Sequence, residues 1–457
     1  MSDAQVTVVG GGISGLACAY RLRQLGLAVT LLEAHDRVGG LVGSVERDGF
    51  LFDFGPQSFQ GTDALLGLIG ELGLEGELLR ADPAAPRFVL LHGQLREVPM
   101  SPQAVLTSSL LGAGTRLKIL AEAFRRTQPP EEDESIASFV RRKFGQEILE
   151  YLVAPFVSGV YAGDPEKLSL RAAFPSIDEW ERRYGSVLRG AMKSRPKNRT
   201  RPPPLCSFRR GMRTLAEAFA RNLGDSVKTS SRVVAIRLPE RGVGGEYHLR
   251  VVRAAREADI SSAAIVLAVP ADVAAQLIGP LSSVLSHALS GIAYAPVAVV
   301  AAGYYGKQIG HPLRGFGFLV PRREKLHTLG TVWNSSLFVG RAGEGRRTLT
   351  SFAGGATNAQ MVSRTDDEIA QIVQDENARV LQIAGPPIAS AVWRYARALP
   401  QYNLGHGRVV GQIRARAREI RGLFLTGNYL EGPSLGKCVE NGYATAEAVR
   451  DSLQACN

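Results

Sequence analysis

Val6-Thr7-Val8-Val9-Gly10-Gly11-Gly12-Ile13-Ser14-Gly15-Leu16 lies at the start of the chain, an amphipathic run continues to Leu25, and Val29-Thr30-Leu31-Leu32 ends at Glu33. The order is strand, glycine turn, helix, strand, acid, the opening of a doubly wound α/β nucleotide-binding unit. Gly10, Gly12 and Gly15 stand at GxGxxG spacing. The first permits a tight turn, the second lets backbone approach a pyrophosphate, and the third lets helix pack on strand. The helix start that follows offers free N–H donors and a positive dipole end to phosphates. Glu33 stands 18 residues past Gly15, where a carboxylate accepts from the ribose hydroxyls of an adenine nucleotide. With 50 glycines in 457 residues the bare spacing is a weak signal. The flanking strand, the helical period and the placed acid make it specific.

A chain of 457 residues, 45% hydrophobic and 21% charged, exceeds what one core supports, so two or three domains are expected. Cys18, Cys206, Cys438 and Cys456 form no CxxC pair, which reads as buried free thiols in a reducing compartment. The first strand leaves little room for a secretory leader, so a cytoplasmic location is expected. No apolar stretch reaches the ~20 residues that cross a bilayer. The longest, 292–305, contains Pro296 and reads as strand. The protein is therefore expected not to span a membrane, though it could rest on one.

The net charge of +11 is unevenly placed: eleven Lys or Arg and no acid lie between Arg182 and Arg213. Few aromatics interleave and no nucleic-acid fold signature accompanies the run, so no nucleic-acid partner is expected. An anionic lipid surface or the steering of an acidic substrate fits better; a solvated basic loop around 195–204 is the plainer alternative.

Farther along, 62–72 has a helical period, 87–91 and 94–98 read as a hairpin, and 101–189 is helical with few β-rich runs. Within it 115–126 carries Leu117, Leu120, Ala121 and Phe124 on one face, the pattern of a membrane-surface helix or of an ordinary packed one. Pro202-Pro203-Pro204 reads as a stiff linker and 211–223 as a helix. Segments 233–238, 247–253 and 263–269 read as strands. Strands are expected to dominate from Pro270 to Val410, with one long helix over 365–384. A last buried strand at 423–426, a Gly-rich loop and a helix from about Gly436 to Ser452 close the chain.

Gly10–Gly15 with Glu33, the Arg37-Val38-Gly39-Gly40 turn, and Gly427-Asn428 through Gly436 together resemble the FAD-containing flavin amine oxidase superfamily. Four further stretches resemble, within it, the protoporphyrinogen/coproporphyrinogen oxidases of haem biosynthesis. They are Gly159-Val160-Tyr161-Ala162-Gly163-Asp164-Pro165, Gly291-Ile292-Ala293-Tyr294-Ala295-Pro296, Gly315-Phe316-Gly317-Phe318-Leu319-Val320-Pro321, and Pro400-Gln401-Tyr402-Asn403-Leu404-Gly405-His406. The expected architecture is α/β: a discontinuous Rossmann-like FAD-binding domain (1–80, 205–268, 411–457), a mixed α+β substrate domain (81–98, 269–410), and an inserted helical domain (99–204) able to associate with a membrane.

The resemblance implies that Gly10, Gly11, Gly12, Ile13, Ser14, Gly15 and Leu16 hold the pyrophosphate, with Glu33 and Ala34 at the adenosine. Arg37, Gly39, Gly40 and Leu41 line the flavin side, and Gly55, Pro56, Gln57 and Ser58 lie beneath the ring. Val233 meets the adenine and Tyr395 stands near the flavin. Gly427 also contacts the cofactor, and the loop Gly432–Leu435, with Pro433, Ser434 and Leu435, approaches its pyrimidine side, where the last helix's dipole favours the anionic reduced ring. Arg87 is implied to pair with a substrate propionate, because a guanidinium grips a carboxylate with two parallel bonds. Phe352 is implied on one face of a pyrrole ring, Phe318, Leu319 and Val332 on the other, and a backbone carbonyl at Gly159. No catalytic side chain and no metal ligand are assigned; His92 and His406 read as structural hydrogen-bonders.

The implied reaction removes six electrons from a porphyrinogen in three rounds of hydride transfer to flavin N5, with oxygen restoring the flavin. Positioning in a dry, apolar cleft supplies most of the rate. Flavin amine oxidases on this scaffold commonly carry a lysine on the strand matching 294–305, and many bind FAD through a cysteine near 394–400. Neither residue is present, so non-covalent FAD is expected and amine oxidation is disfavoured. A carotenoid desaturase would need no carboxylate-pairing arginine. A non-catalytic membrane-surface scaffold that keeps FAD for stability has only the basic segment in its support. Charge slightly favours the four-carboxylate coproporphyrinogen III over the two-carboxylate protoporphyrinogen IX, and a homodimer is compatible with the sequence.

Overall fold

Val6, Val8, Leu31 and Val266 are fully buried because their strands form the middle of a seven-stranded sheet. The structure, a computed structural model, describes residues 4–100, 102–108, 110–194, 203–238 and 246–455. Ala4–Val9 pairs in parallel with Val29–Leu32 on one side and with the end of Arg256–Leu267 on the other. Val227–Lys228 and Leu423–Leu425 extend the parallel part. Parallel strands buried on both faces read as continuous apolar runs, as these do. The first half of Arg256–Leu267 instead joins Tyr247–Arg253 and Arg232–Arg237 in an antiparallel meander.

Helices Ile13–Gln24, Arg213–Leu223 and Leu435–Gln454 cover one face of this sheet. Ala271–Ile278, Ser283–Ser290 and His406–Arg418 contribute to the core on the other. The first two of these lie in the stretch expected to be strand-rich, and they correct that reading. Ala271–Ile278 is built from strong helix formers, and the Ser282 side chain caps the next helix by accepting from Leu285 N–H at 3.2 Å. One core thus runs across the boundary expected at 268/269.

The second sheet has the order Ala389–Pro400, Tyr294–Tyr305, Arg346–Gly354, Thr328–Val332, Gly317–Leu319, Arg87–Leu91, Gln94–Glu97. Alternation decides its faces. Ala298 and Val300 pack with Ile369 and Val373 of helix Asp366–Leu381, while Val297 and Val299 point the opposite way. That second face is the one that positions the site.

Residues 110–193 pack mostly as short helices around Ile136, Phe139, Leu149, Val157 and Leu170, and Val89 and Leu91 of the sheet enter the same core. Helix Ala113–Glu122 leaves Leu117 68% and Leu120 45% exposed, and Phe124 just beyond is 86% exposed. An ordinary packed helix therefore does not describe this apolar stripe. Cys18, Cys206 and Cys438 are free thiols. Pro202, Cys456 and the cations at 195, 197, 199 and 201 lie outside the described residues.

Candidate functional site

Gly10 takes φ +109°, and a Cβ on Gly15 would lie 2.0 Å from the Gly10 carbonyl oxygen. Both positions demand glycine. Helix Ile13–Gln24 opens at Gly12 with no side-chain cap, so its first-turn N–H groups remain for phosphate oxygens. The Glu33 carboxylate accepts from Gly11 N–H at 2.6 Å and from His35 N–H at 2.8 Å. A carboxylate offers about four acceptor positions, which leaves capacity for a ribose hydroxyl. Ser231 N–H donates to the Glu33 carbonyl at 2.7 Å, bringing Val233, 8% exposed, to the same edge. Ala34 follows Glu33 on this edge.

The second glycine turn closes over the first. Gly39 N–H donates to Gly11 O at 2.7 Å, and a Cβ on Gly40 would come within 3.3 Å of Gly12 Cα. Arg37 donates to the Gly40 carbonyl at 2.9 Å, its guanidinium 4.6 Å from the Phe54 ring centroid. Gly55 packs under Leu41, whose carbonyl oxygen would lie 1.9 Å from an added Cβ. Gln57 Nε2 donates to the Asp53 and Gly55 carbonyls at 2.9 and 2.7 Å, which fixes the Gly55-Pro56-Gln57-Ser58 segment. The Tyr395 hydroxyl donates to the Phe54 carbonyl at 3.0 Å, and burial pushes its pKa up to about 12.

Helix Leu435–Gln454 is capped by the Ser434 side chain, which accepts from Lys437 N–H. Pro433 and Gly427, at φ +149°, belong to the loop before it. Cys438 meets Ser14, a Cβ on Gly442 would meet the Ser14 carbonyl at 2.5 Å, and Glu447 pairs with Arg21 at 2.5 Å. The two long helices therefore run side by side in the same direction, and both N-termini open at one edge. Gly442 is a requirement that the sequence reading misses.

On the second sheet, register puts Arg87, Gly317 and Val332 in one row, Leu319, Gly330 and Phe352 in the next, and Tyr395 beside Val297 beyond them. All point to the face shared with Val297 and Val299. Gly159, on helix Ala154–Tyr161, approaches from above: an added Cβ would lie 2.6 Å from Leu319 Cδ2. Arg87 is exposed, donates to Met100 Sδ at 3.8 Å, and lies 5.6 Å from the Phe316 ring centroid. Among the described residues its guanidinium has no acidic partner, which leaves it available to a carboxylate.

Phe318 is the correction. It neighbours Leu319 in a strand, so its side chain points the other way, into the core with Leu90, Trp333 and Leu381. It cannot share a wall with Leu319 and Val332. Phe318→Ala is expected to cost about 3–5 kcal/mol of stability and leave KM unchanged, while Leu319→Ala raises KM at little cost in stability. Urea titrations beside steady-state kinetics check this; a KM that rises for Phe318→Ala returns that ring to the cleft.

Between the sheets lies a second feature that the sequence reading misses. Arg341 and Asp53 side chains are both 0% exposed and meet at 3.1 Å. Burial raises the Asp53 pKa against the opposing Arg341 charge, and burial lowers that of Arg341. Arg341 also donates to Ser207 Oγ at 2.6 Å, and Asn334 Nδ2 to Gln57 Oε1 at 2.6 Å. This polar seam joins the nucleotide unit to the substrate sheet. His406 is buried and stacked on Tyr402 at 4.2 Å, and burial pushes its pKa down to about 4. His92 sits at a hairpin tip with φ +53°.

The glycine cradle, the uncapped helix start and the Glu33 carboxylate beside them fit a dinucleotide flavin. Residues 13–450 match the family described as Flavin containing amine oxidoreductase. The chain is 37% identical to the chloroplastic protoporphyrinogen oxidase of Nicotiana tabacum, covering 99% of this chain and 86% of that one. It is 28% identical to the coproporphyrinogen III oxidase of Bacillus subtilis (strain 168), covering 99% of each. A crystal structure from Exiguobacterium sp. 255-15, named for protoporphyrinogen oxidase, superposes with a TM-score of 0.83 at 25% identity, covering 99% of this chain and 100% of that one. The chain is a flavoprotein of the flavin-containing amine oxidoreductase family and is related over its whole length to the protoporphyrinogen oxidases.

Proposed function

We propose that the protein is an FAD-dependent, oxygen-using porphyrinogen oxidase of haem biosynthesis, acting on protoporphyrinogen IX, coproporphyrinogen III or both. The observation that carries this reading is one sheet face bearing Leu319, Val332, Phe352 and Tyr395, with the guanidinium of Arg87 at its edge. When bound, FAD supplies a hydride acceptor and delivers the electrons to molecular oxygen. The chain's own residues do the rest. Gly10–Leu16, Glu33 and the Gly39-Gly40 turn would hold the cofactor, and Gly55–Ser58 would set its depth against the substrate sheet. Phe352 and Leu319 exclude water and fix the macrocycle's plane. Arg87 fixes its rotation by gripping a propionate.

A six-electron oxidation needs three passes, and an apolar cleft with one ionic anchor suits repeated presentation of one edge. Amine oxidation is the weaker reading, since strand Tyr294–Tyr305 carries no lysine. Peripheral contact with the inner face of a membrane belongs to the same proposal. Its support is the exposed Leu117, Leu120 and Phe124; among the described residues no helix is long and apolar enough to cross a bilayer.

The test is aerobic formation of fluorescent porphyrin by purified protein, with kcat/KM compared for the two porphyrinogens. Turnover of neither ends this reading. Arg87→Ala is expected to lower kcat/KM roughly 10- to 150-fold, mainly through KM, the loss of one charge-assisted pair. A fall in kcat alone would place the arginine's action in the transition state.

A further inference from the structure

Arg126, Arg182, Arg183, Tyr184, Arg189 and Lys193 line one cavity of about 390 Å³ in the helical layer, and no acid lines it. Arg182 is paired with Asp178 at 2.8 Å. The other four cations have no acidic partner among the described residues. Arg189 Nη2 donates to the Arg125 carbonyl at 2.9 Å, while its Nε is buried without a hydrogen-bond partner. Arg183 and Lys193 lie 5.5 and 5.4 Å from the centroid of one ring, Tyr184. Two cations held at one ring repel, and an anion bound beside them relieves that repulsion.

The cavity is built rather than incidental. Gly185, at φ +65°, turns the chain between helices Pro175–Tyr184 and Val187–Lys193, and an added Cβ would meet Arg126 Cα at 3.2 Å. The acids nearest in the fold are consumed beneath the floor. Glu122, 3% exposed, accepts from Ser186 Oγ at 2.8 Å and from Val187 and Leu188 N–H at 2.8 and 3.1 Å. Glu181 pairs with Arg142 and Lys143, both at 2.8 Å. At the other end of the basic segment, Arg210 and Arg213 reach Glu77 and Glu46. Among the described residues, Arg183, Arg189 and Lys193 of the segment thus bring uncompensated charge together in this cavity with Arg126.

We propose that this cavity receives the phosphate of an anionic lipid headgroup, an assignment that rests on the peripheral membrane contact proposed above. A lipid is favoured over a free anion by what borders the cations. Phe124 directly precedes Arg125-Arg126 and continues the exposed stripe of Leu117 and Leu120, and Met192, 64% exposed, directly precedes Lys193. Apolar side chains beside a basic pocket let one face enter the acyl boundary while the cations meet headgroups.

The test is co-sedimentation of the full-length holoprotein with phosphatidylcholine vesicles, with and without phosphatidylglycerol. The wild type is expected to sediment with the anionic vesicles. Arg183→Gln/Lys193→Gln is expected to weaken partitioning roughly 25-fold, about 5-fold per cation. Arg253→Gln/Arg256→Gln removes equal charge from an exposed hairpin and is expected to change little. Equal weakening by both pairs overturns the site in favour of diffuse net charge. Unaltered binding of the cavity pair overturns it while membrane contact stands. A wild type that ignores anionic vesicles overturns membrane contact itself, leaving porphyrinogen oxidation to the fluorescence assay. If inorganic phosphate raises the wild-type melting temperature, the cavity pair abolishes that rise, and vesicles stay unbound, the cavity serves a soluble phosphate and the lipid assignment falls.

Discussion

Arg341→Met is expected to remove about 3–5 kcal/mol of unfolding free energy, because it strands the Asp53 carboxylate in a site with no solvent. Ser44 and the Met212 N–H still donate to Asp53, but only the weaker charge of Arg213 remains to oppose its burial. Burial already raises this carboxyl's pKa and only Arg341 and Arg213 oppose that rise by charge, so the variant's folded state takes up a proton more readily than its unfolded chain. The sign follows. The variant is weakest above its raised folded pKa and regains stability as pH falls toward the ordinary carboxylate value of about 3.9. Asp53→Asn/Arg341→Met keeps an acceptor for Ser44 and Met212 without a buried charge, and is expected to recover most of the loss. Urea unfolding of the single and double variants across pH measures this. Losses that simply add would mean the pair is not coupled. Since the Asp53 carbonyl also holds Gln57, the single variant should retain less flavin.

The second large effect concerns the nucleotide turn. Gly15→Ala puts a methyl 2.0 Å from the Gly10 carbonyl oxygen and 3.0 Å from Ala268 Cβ, both parts of the buried sheet edge. Neither neighbour is a flexible side-chain end, so the helix start must move away from Gly10. Overpacking of this kind costs about 1–3 kcal/mol, and the displaced N–H groups lose their aim. The variant is expected to purify colourless with a lowered melting temperature. Gly411→Ala, inside helix His406–Arg418 where an added Cβ meets nothing within 4 Å, is expected to keep its flavin and gain about 1 kcal/mol. Absorbance near the flavin bands and thermal melts compare the two; a yellow, stable Gly15→Ala protein contradicts the steric argument.

What the sequence carried legibly was local. The nucleotide turn is contiguous, its glycines have backbone reasons, and Glu33 follows at fixed spacing, so geometry and chemistry appear in one short stretch. Arg87, Leu319 and Val332 come together because strand alternation preserves their parity. Phe318 fails for the same reason: adjacent strand residues face opposite sides, and a motif copied as a block ignores that. Helix Ala271–Ile278 does carry a helical stripe, Ala271, Ala274, Ala275 and Ile278, all buried in one core, but alanines mark a face weakly over only eight residues. The Asp53–Arg341 contact and the Gly442 close approach join positions far apart in the chain, and no spacing rule reports them.

The parallel run of the first and last helices has an energetic corollary. Aligned side by side, their electrostatic axes disfavour one another, and the positive poles crowd a single rim. A bound dinucleotide, with its diphosphate at the first pole and its flavin at the second, would convert mutual repulsion into shared attraction, so cofactor supply should govern how much of the polypeptide survives in the cell as well as how fast it works.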